Sequence, residues 1–239
     1  MVVINADDFG RSQSINKAIV LAFRDKIINQ TTIMVNMLYV DDAVVLSREN
    51  EFFDCVGLHI NLDDGAPLTS NIKQCNIFCD DKGEFNGNFR RNRLKLFHLN
   101  KFERQCCEEE IEAQMDKYIS FGFTKMHIDS HHHIHVLPSI LPLVISIAKK
   151  KGFQSMRLRF NLQSSNYFKK IFTGIINYFI SRHFRTTDYF CDSTYYLQKK
   201  PSLSSLEVMC HPDIYEDKMI DVIGKRENCH FEDLYKLSV

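Results

Sequence analysis

An excess of charge of either sign is missing from this chain: 30 basic and 30 acidic residues among 239 leave a formal total of zero. That balance gives no electrostatic reason to expect nucleic acid or an anionic membrane surface as a partner. A long apolar run is missing too, which excludes a bilayer-spanning helix and membrane insertion. The N-terminus, Met1-Val2-Val3-Ile4-Asn5, has no basic region, so no secretory signal is expected and the protein reads as cytoplasmic. The eight cysteines contain no C-x-x-C pair. Cys75-x3-Cys79 is a poor zinc pattern because no second pair completes it. Free thiols are expected, with Cys55 and Cys210 packed inside apolar runs. Linkers, repeats and low-complexity segments are absent as well. One domain over 1–239 is the simplest account, and the length suits a large α/β domain.

What the chain does have is alternation. Val2 to Ala6 reads as a buried strand ending in Asp7-Asp8. Ser14 to Asp25 carries Ile15, Ala18, Ile19, Ala22 and Phe23 at helical spacing. Further strands are expected at Thr31–Asn36, Cys55–Asn61, Lys125–Asp129, Gln154–Arg159 and Leu206–Cys210. Further helices are expected at Asp41–Arg48, Lys101–Phe121, Pro138–Lys151, Tyr167–Arg182 and Phe231–Leu237, the third with a proline near its start. From Asp63 to Asn92 the chain is polar, with Gly65, Gly83 and Gly87 and no period. A loop that long is a lid or a substrate-binding segment. Strands alternating with helices predict a parallel sheet with right-handed crossovers. The expected fold class is α/β, a single-domain (β/α) barrel, closed or distorted, with eight strands or fewer. Polar residues recur just after successive strands, at Asp7-Asp8, His59-Asn61, Asp129-His131 and His211, and a barrel brings such strand ends to one site.

The densest chemistry lies in His127-Ile128-Asp129-Ser130-His131-His132-His133-Ile134-His135, which holds five of the ten histidines. Imidazole is the commonest metal ligand and the proton carrier near neutral pH. A solvated His-rich loop is the plain alternative, but the rest of the chain supplies matching pieces. His127 and Asp129 share a face of a strand, and His131 lies at or past its end. Not all five rings can reach one ion, so carboxylates would hold some of them in the right tautomer. Asn5-Ala6-Asp7-Asp8-Phe9-Gly10 places two adjacent carboxylates at a strand end, pointing different ways because strand side chains alternate. Like charges this close favour a nearby cation. Asp-Phe-Gly also occurs in protein kinases, but no Gly-rich phosphate loop or catalytic-loop pattern is present. His59, in Gly57-Leu58-His59-Ile60-Asn61-Leu62, would pass for a core histidine in isolation and for a ligand beside these groups. His211, where Glu207-Val208-Met209-Cys210 meets Pro212, is placed to act as a general acid or merely to cap a turn. Arg157 or Arg159 could orient a catalytic aspartate, or make an ordinary ion pair. Carboxylate plus imidazole suits Mg, Mn, Co or Zn.

In this order the pieces resemble the YdjC-like carbohydrate deacetylase family, which includes the diacetylchitobiose deacetylases. The segments carrying the resemblance are NADDFGRS with Asn16, TTIMVN, GLHINL with Gly65-Ala66-Pro67-Leu68, HIDSHHHIHVLP, Arg157, Thr187-Asp188-Tyr189-Phe190 and EVMCHP, from Asn5 to Pro212. The resemblance implies a (β/α) barrel variant and metal-dependent removal of an N-acetyl group from an amino sugar, giving acetate and a free amine. It puts the metal ligands on Asp8, His59 and His131, and the general base on Asp7 with Arg157 holding it. His211 becomes the general acid, partly by analogy with NodB-type deacetylases. His127, Asp129, His132, His133 and His135 would support the ligands or face the substrate. The implied cofactor is a divalent metal ion, Mg first and then Zn, Mn or Co. The implied partner is an N-acetylated sugar, and a homodimer is compatible with the sequence.

Two departures bear on the sugar pocket: Leu158-Arg159-Phe160 stands where many relatives carry a proline, and Asp63 to Asn100 differs from the chitobiose enzymes. Phe9, Tyr189 and Phe190 are candidates for stacking on a sugar or for core packing. A metal-dependent phosphoesterase or amidohydrolase on a similar barrel is the alternative enzyme, but those usually begin with His-x-His where this chain has Asp7-Asp8. A metal-storage or metal-sensing protein would use the histidine run and leave Asp7, Asp8 and His211 unexplained.

Overall fold

Short runs of Val, Ile, Leu and Thr, buried on both faces, build a parallel sheet covered by helices. The computed structural model describes residues 2–162 and 166–222. In chain order the elements are β1 (Val2–Phe9), α1 (Gln13–Arg24), β2 (Gln30–Ile33), α2 (Val40–Glu49), β3 (Val56–Ile60), α3 (Asn88–Arg91), α4 (Lys101–Ser120) and β4 (His127–Ser130). They continue as α5 (Leu141–Lys151), β5 (Ser155–Met156), α6 (Tyr167–Ser181), β6 (Tyr189–Asp192), α7 (Ser193–Lys199), β7 (Leu206–Cys210), β8 (Pro212–Tyr215) and β9 (Lys218–Asp221). The first seven strands by pairing form one parallel sheet in the order β5-β4-β3-β2-β1-β7-β6, and β8 and β9 form an antiparallel hairpin. The sheet curls into a distorted, incompletely closed (β/α) barrel.

The barrel stays open at one seam, between β5 and β6. Gln154–Arg159 was expected as one strand, yet the ladder stops at Met156. Beyond it, side chains take over the pairing. Arg159 N donates to Asn177 Oδ1 at 2.8 Å, and Phe190 N donates to Asn161 Oδ1 at 2.9 Å. Among the described residues, backbone pairing across the seam is limited to the Ser155–Arg185 bridge, where Met156 N donates to Arg185 O at 3.1 Å and Arg185 N to Gln154 O at 2.9 Å.

Other expected boundaries shift by a few residues. Pro138–Lys151 becomes a helix only from Leu141, with Pro142 in its first turn. β6, α7 and the β8–β9 hairpin had no periodic signal, being short and mixed in composition. The expected final helix Phe231–Leu237 and Cys229 lie outside the described residues. The seven described cysteines are free thiols; Cys210 is buried as expected, but Cys55 is only half-buried. Among the described residues no helix is long and apolar enough to cross a membrane.

The polar segment after β3 is ordered by α4. The buried Glu110 carboxylate accepts from Leu68 N at 3.0 Å, and from Thr69 N and Thr69 Oγ1, each at 2.8 Å. Phe78 and Phe89 are both buried, with ring centroids 5.0 Å apart. The segment is therefore a packed insertion, and only its Asp64 and Arg90 reach the main cavity.

Candidate active site at the C-terminal strand ends

Register brings the first residues together. β3 and β4 pair with His59 opposite Asp129. β1 and β2 pair Ala6 with Thr31 but Phe9 with Ile33, so Asp7 and Asp8 together oppose Thr32. That is a bulge, with Asp8 in the left-handed region at φ 69°. Simple strand alternation would turn the two carboxylates apart; the extra residue re-aims Asp8, and both aspartates line the same cavity. The following turn is pinned by Asn16, whose Oδ1 accepts from Gly10 N at 2.8 Å. After β4, His132 and His133 also have positive φ, 50° and 56°. Non-glycine residues rarely adopt this backbone, which is characteristic of functional sites.

Asp8 sits between two imidazoles. Its Oδ1 accepts from His131 Nδ1 at 2.9 Å and lies 3.3 Å from His59 Nε2, while Oδ2 accepts from Arg11 at 3.0 Å. Burial pushes the Asp8 carboxyl up, but the bonds and charges of His131 and His59 outweigh it and hold the group well below the carboxylate range. Burial disfavours a charged His59, yet Asp129, 2.7 Å from its Nδ1, and Asp8 lift its pKa to about 10. Without a cation, this cluster holds a proton on His59.

Behind it lies a second layer. Arg157 is completely buried; Nη1 and Nη2 each donate to Asp7 at 2.7 Å, Nη2 lies 2.7 Å from Asp129, and Nε donates to Glu207 at 2.5 Å. Thr32 Oγ1 donates to Asp129 at 2.9 Å, and Asn5 Nδ2 donates to Asp7 Oδ1 at 2.8 Å. Asp129 is held down in pKa: burial opposes ionisation, but Arg157 and His59 prevail. Glu207 is pushed up, because its burial outweighs the contact with Arg157. His211 Nε2 lies 3.9 Å from Asp7 Oδ2 and its ring is partly open to the cavity.

The donor set suits a divalent ion. His131 Nε2 is buried without a hydrogen-bond partner, and buried His59 Nε2 has only its 3.3 Å approach to Asp8 Oδ1, with no well-formed hydrogen bond. One ligand atom each from Asp8, His59 and His131 lie within 4.8 Å of one another. Asp7, Asp129 and Glu207 are three buried carboxylic groups around one buried guanidinium, with buried Asp8 beside them, and an added cation relieves the crowding of negative charge. Asp63, His131 and His132 form another such group at the cavity mouth, but Asp63 is already paired with Arg90 and His132.

The six residues singled out as catalytic or ligating, Asp7, Asp8, His59, His131, Arg157 and His211, therefore meet at one place. The rest of the histidine run divides. His135 is buried, its Nδ1 2.5 Å from Ser130 Oγ and its Nε2 donating to Arg157 O at 3.1 Å. His127 Nδ1 pairs with Ser155 Oγ at 3.0 Å. His133 packs edge-on against Phe160, 4.7 Å between centroids, and lines the cavity. Phe9 and Phe190 are core residues, Phe190 stacking on Phe160 at 4.4 Å; Tyr189 is partly exposed and does not line the cavity. Arg159 makes no ion pair among the described residues and lies 5.4 Å from the Phe172 ring. Asn5, Thr32 and Glu207 were missed as parts of the site. Their signal was a polar residue inside an apolar strand, at positions where the sheet is buried on both faces.

Fold and side chains define a barrel-like parallel α/β protein with a carboxylate–imidazole centre at its C-terminal strand ends, where such barrels carry their active sites. The chain belongs to the family described as YdjC-like protein, which matches residues 1–234. A carbohydrate deacetylase of Clostridium beijerinckii is 30% identical over 92% of this chain and 84% of its own length. A chitooligosaccharide deacetylase of Yersinia enterocolitica is 31% identical over 94% of this chain and 85% of its own. A solved structure from Enterococcus faecalis V583, provisionally described as a cellobiose-phosphate cleavage protein, matches with a TM-score of 0.69 and 21% identity. That match covers 99% of this chain and 88% of the other, and supports the fold.

Proposed function

We propose that this protein is a divalent-metal-dependent carbohydrate N-deacetylase, hydrolysing the acetamide of an N-acetylated amino sugar to acetate and a free amine. The observation that carries this reading is the convergence of two buried nitrogens without a well-formed hydrogen bond, His59 Nε2 and His131 Nε2, on Asp8, next to an aspartate clamped by a buried arginine. Named relatives that are carbohydrate deacetylases support the substrate class.

Asp8, His59 and His131 would hold the ion, Mg first among the candidates, with Asp129 and Thr32 orienting the His59 ring. The ion would supply Lewis-acid polarisation of the acetamide carbonyl. Asp7 takes the proton of the attacking water through a carboxylate that Arg157 and Asn5 hold in one orientation. His211, which lines the cavity with its Nε2 3.9 Å from Asp7 Oδ2, gives a proton to the departing amine, which is otherwise a poor leaving group. The cavity, about 930 Å³ and lined also by Arg11, Asp64 and Arg90, is roomy enough for a small saccharide.

Acetate release from GlcNAc, diacetylchitobiose, and nucleotide- or lipid-linked GlcNAc tests the reading, using EDTA-stripped protein with Mg, Mn, Co or Zn restored. Metal-dependent release from any of these is expected. No release with any metal, from protein that still binds one ion per chain, would move the assignment to a phosphoesterase or another amidohydrolase.

A further inference from the structure

The zero net charge of the whole chain conceals a strong segregation. Between Asp129 and Asp188 there is no acidic residue, while Lys149, Lys150, Lys151, Arg157, Arg159, Lys169, Lys170, Arg182 and Arg185 supply nine cations. Arg157 is buried in the site, and Lys151 is paired with Glu112 and Asp116. Lys149, Lys169, Lys170, Arg182 and Arg185 lie on or beside α5 and α6 and make no ion pair among the described residues.

The same region carries six of the large hydrophobic side chains that are exposed among the described residues. α6 packs its Thr173, Ile176 and Ile180 side inward. Its opposite side is not polar, as a surface helix requires, but apolar. Phe168 is 80% exposed and Tyr167 72%, with Ile171, Ile175, Tyr178 and Phe179 about half exposed. These six project on one broad stripe at helical spacing. Beside it runs a groove of about 690 Å³ between α5 and α6, walled by Leu141, Ile145, Ile175 and Phe179, with Lys149 and His183 at the rim.

We propose that this face docks peripherally on an anionic lipid bilayer, with α6 lying in the interfacial plane and the α5–α6 groove facing the acyl layer. The chemistry is that of an in-plane helix: a broad apolar stripe, cations on and beside the helix, and no acidic residue on α5 or α6 themselves. Tyrosine and phenylalanine suit that boundary because their rings bury while the hydroxyls of Tyr167 and Tyr178 remain wet. A second copy of the chain fits less well. A two-fold contact sets the same patch against itself, and would bring the unpaired cations of two copies together. The docking is adsorption, distinct from membrane insertion, and does not depend on the deacetylase reading.

Co-sedimentation of the full chain with vesicles tests it, comparing phosphatidylcholine alone with phosphatidylcholine containing phosphatidylglycerol. Binding about tenfold or more tighter to the anionic vesicles is expected, weakening as salt is raised. Substituting both Phe168→Glu and Phe179→Glu abolishes binding with an unchanged circular dichroism spectrum, since both side chains are exposed. Should that variant fold poorly, Lys169→Glu with Lys170→Glu carries the same test and lowers binding at least several-fold. Equal binding to both vesicle types, no binding, or binding retained in the variants overturns the proposal. A wild-type dimer that ignores vesicles and becomes monomeric in the phenylalanine variant reassigns the face to contact between copies. Vesicle-independent capture of an acidic peptide reassigns it to a protein partner.

Discussion

Asp7 and Arg157, 150 residues apart in the chain, meet through two 2.7 Å hydrogen bonds, one to each carboxylate oxygen. A bidentate clamp fixes the carboxylate plane and not merely its position. The same guanidinium reaches Asp129 and Glu207, so it ties β1, β4 and β7 together behind the site.

The clamp makes Asp7 a precise test of the base assignment. Asp7→Asn keeps the shape and several of the bonds but loses the proton acceptor. Folding and metal content should be retained, while kcat for acetate release falls by about 10²–10⁴-fold. Normal turnover in that variant would remove Asp7 from the mechanism.

Arg157 itself should matter first for stability. Removing it leaves Asp7, Asp129 and Glu207 buried without their cation, a loss on the order of 3–5 kcal/mol. Arg157→Met should lower the urea midpoint accordingly. If the midpoint does not move, the three contacts are not coupled in solution.

Much of this centre was legible in the sequence because its residues break a pattern. Asp7, Asp8, His59, Asp129 and His131 interrupt or end runs that otherwise read as buried strands. Their common location followed from strand alternation and barrel geometry. The bulge was not legible: adjacent carboxylates on a regular strand diverge, and only the pairing of β1 with β2 shows the extra residue. Nor was the open seam, since Gln154–Arg159 has strand composition. Asn161 and Asn177 claim its backbone groups instead. The apolar face of α6 reads as an ordinary buried helix until the structure shows which side has neighbours.

The ligand assignment predicts a metal stoichiometry. Wild-type protein should bind one divalent ion per chain, and His59→Ala or His131→Ala should lose it by calorimetry or elemental analysis. Because metal must displace the proton held on His59, whose pKa is raised to about 10, affinity should strengthen as pH rises toward that value. An affinity that does not change from neutral to alkaline pH would place the ion elsewhere.

His211 should show its role through the leaving group. His211→Ala is expected to lower kcat about 10²-fold or more on a sugar acetamide. The loss should shrink on an N-acetyl substrate whose amine leaves without protonation. An equal loss on both would make His211 a binding residue rather than an acid.

Metal-free protein should have a stability maximum with a different cause on each side. On the acid side, burial first and then the nearby Arg157 charge hold His127 down to about 3, against an ordinary 6.5. Burial likewise takes His135 to about 4. The fold keeps both rings neutral while the unfolded chain takes up protons. Their contribution is full above about pH 6.5 and lost as pH falls toward 4 and then 3, on the order of 5 kcal/mol for His127 and about 3 kcal/mol for His135. His59 has the opposite sign. Its folded pKa is raised, so its contribution is full below about pH 6.5 and lost as pH climbs toward 10. Urea unfolding in EDTA across this range should therefore peak near pH 6.5. His135→Gln should flatten the acid limb by removing one titrating ring. A profile that keeps rising from neutral pH down to 4 would mean that these imidazoles are not buried neutral in solution.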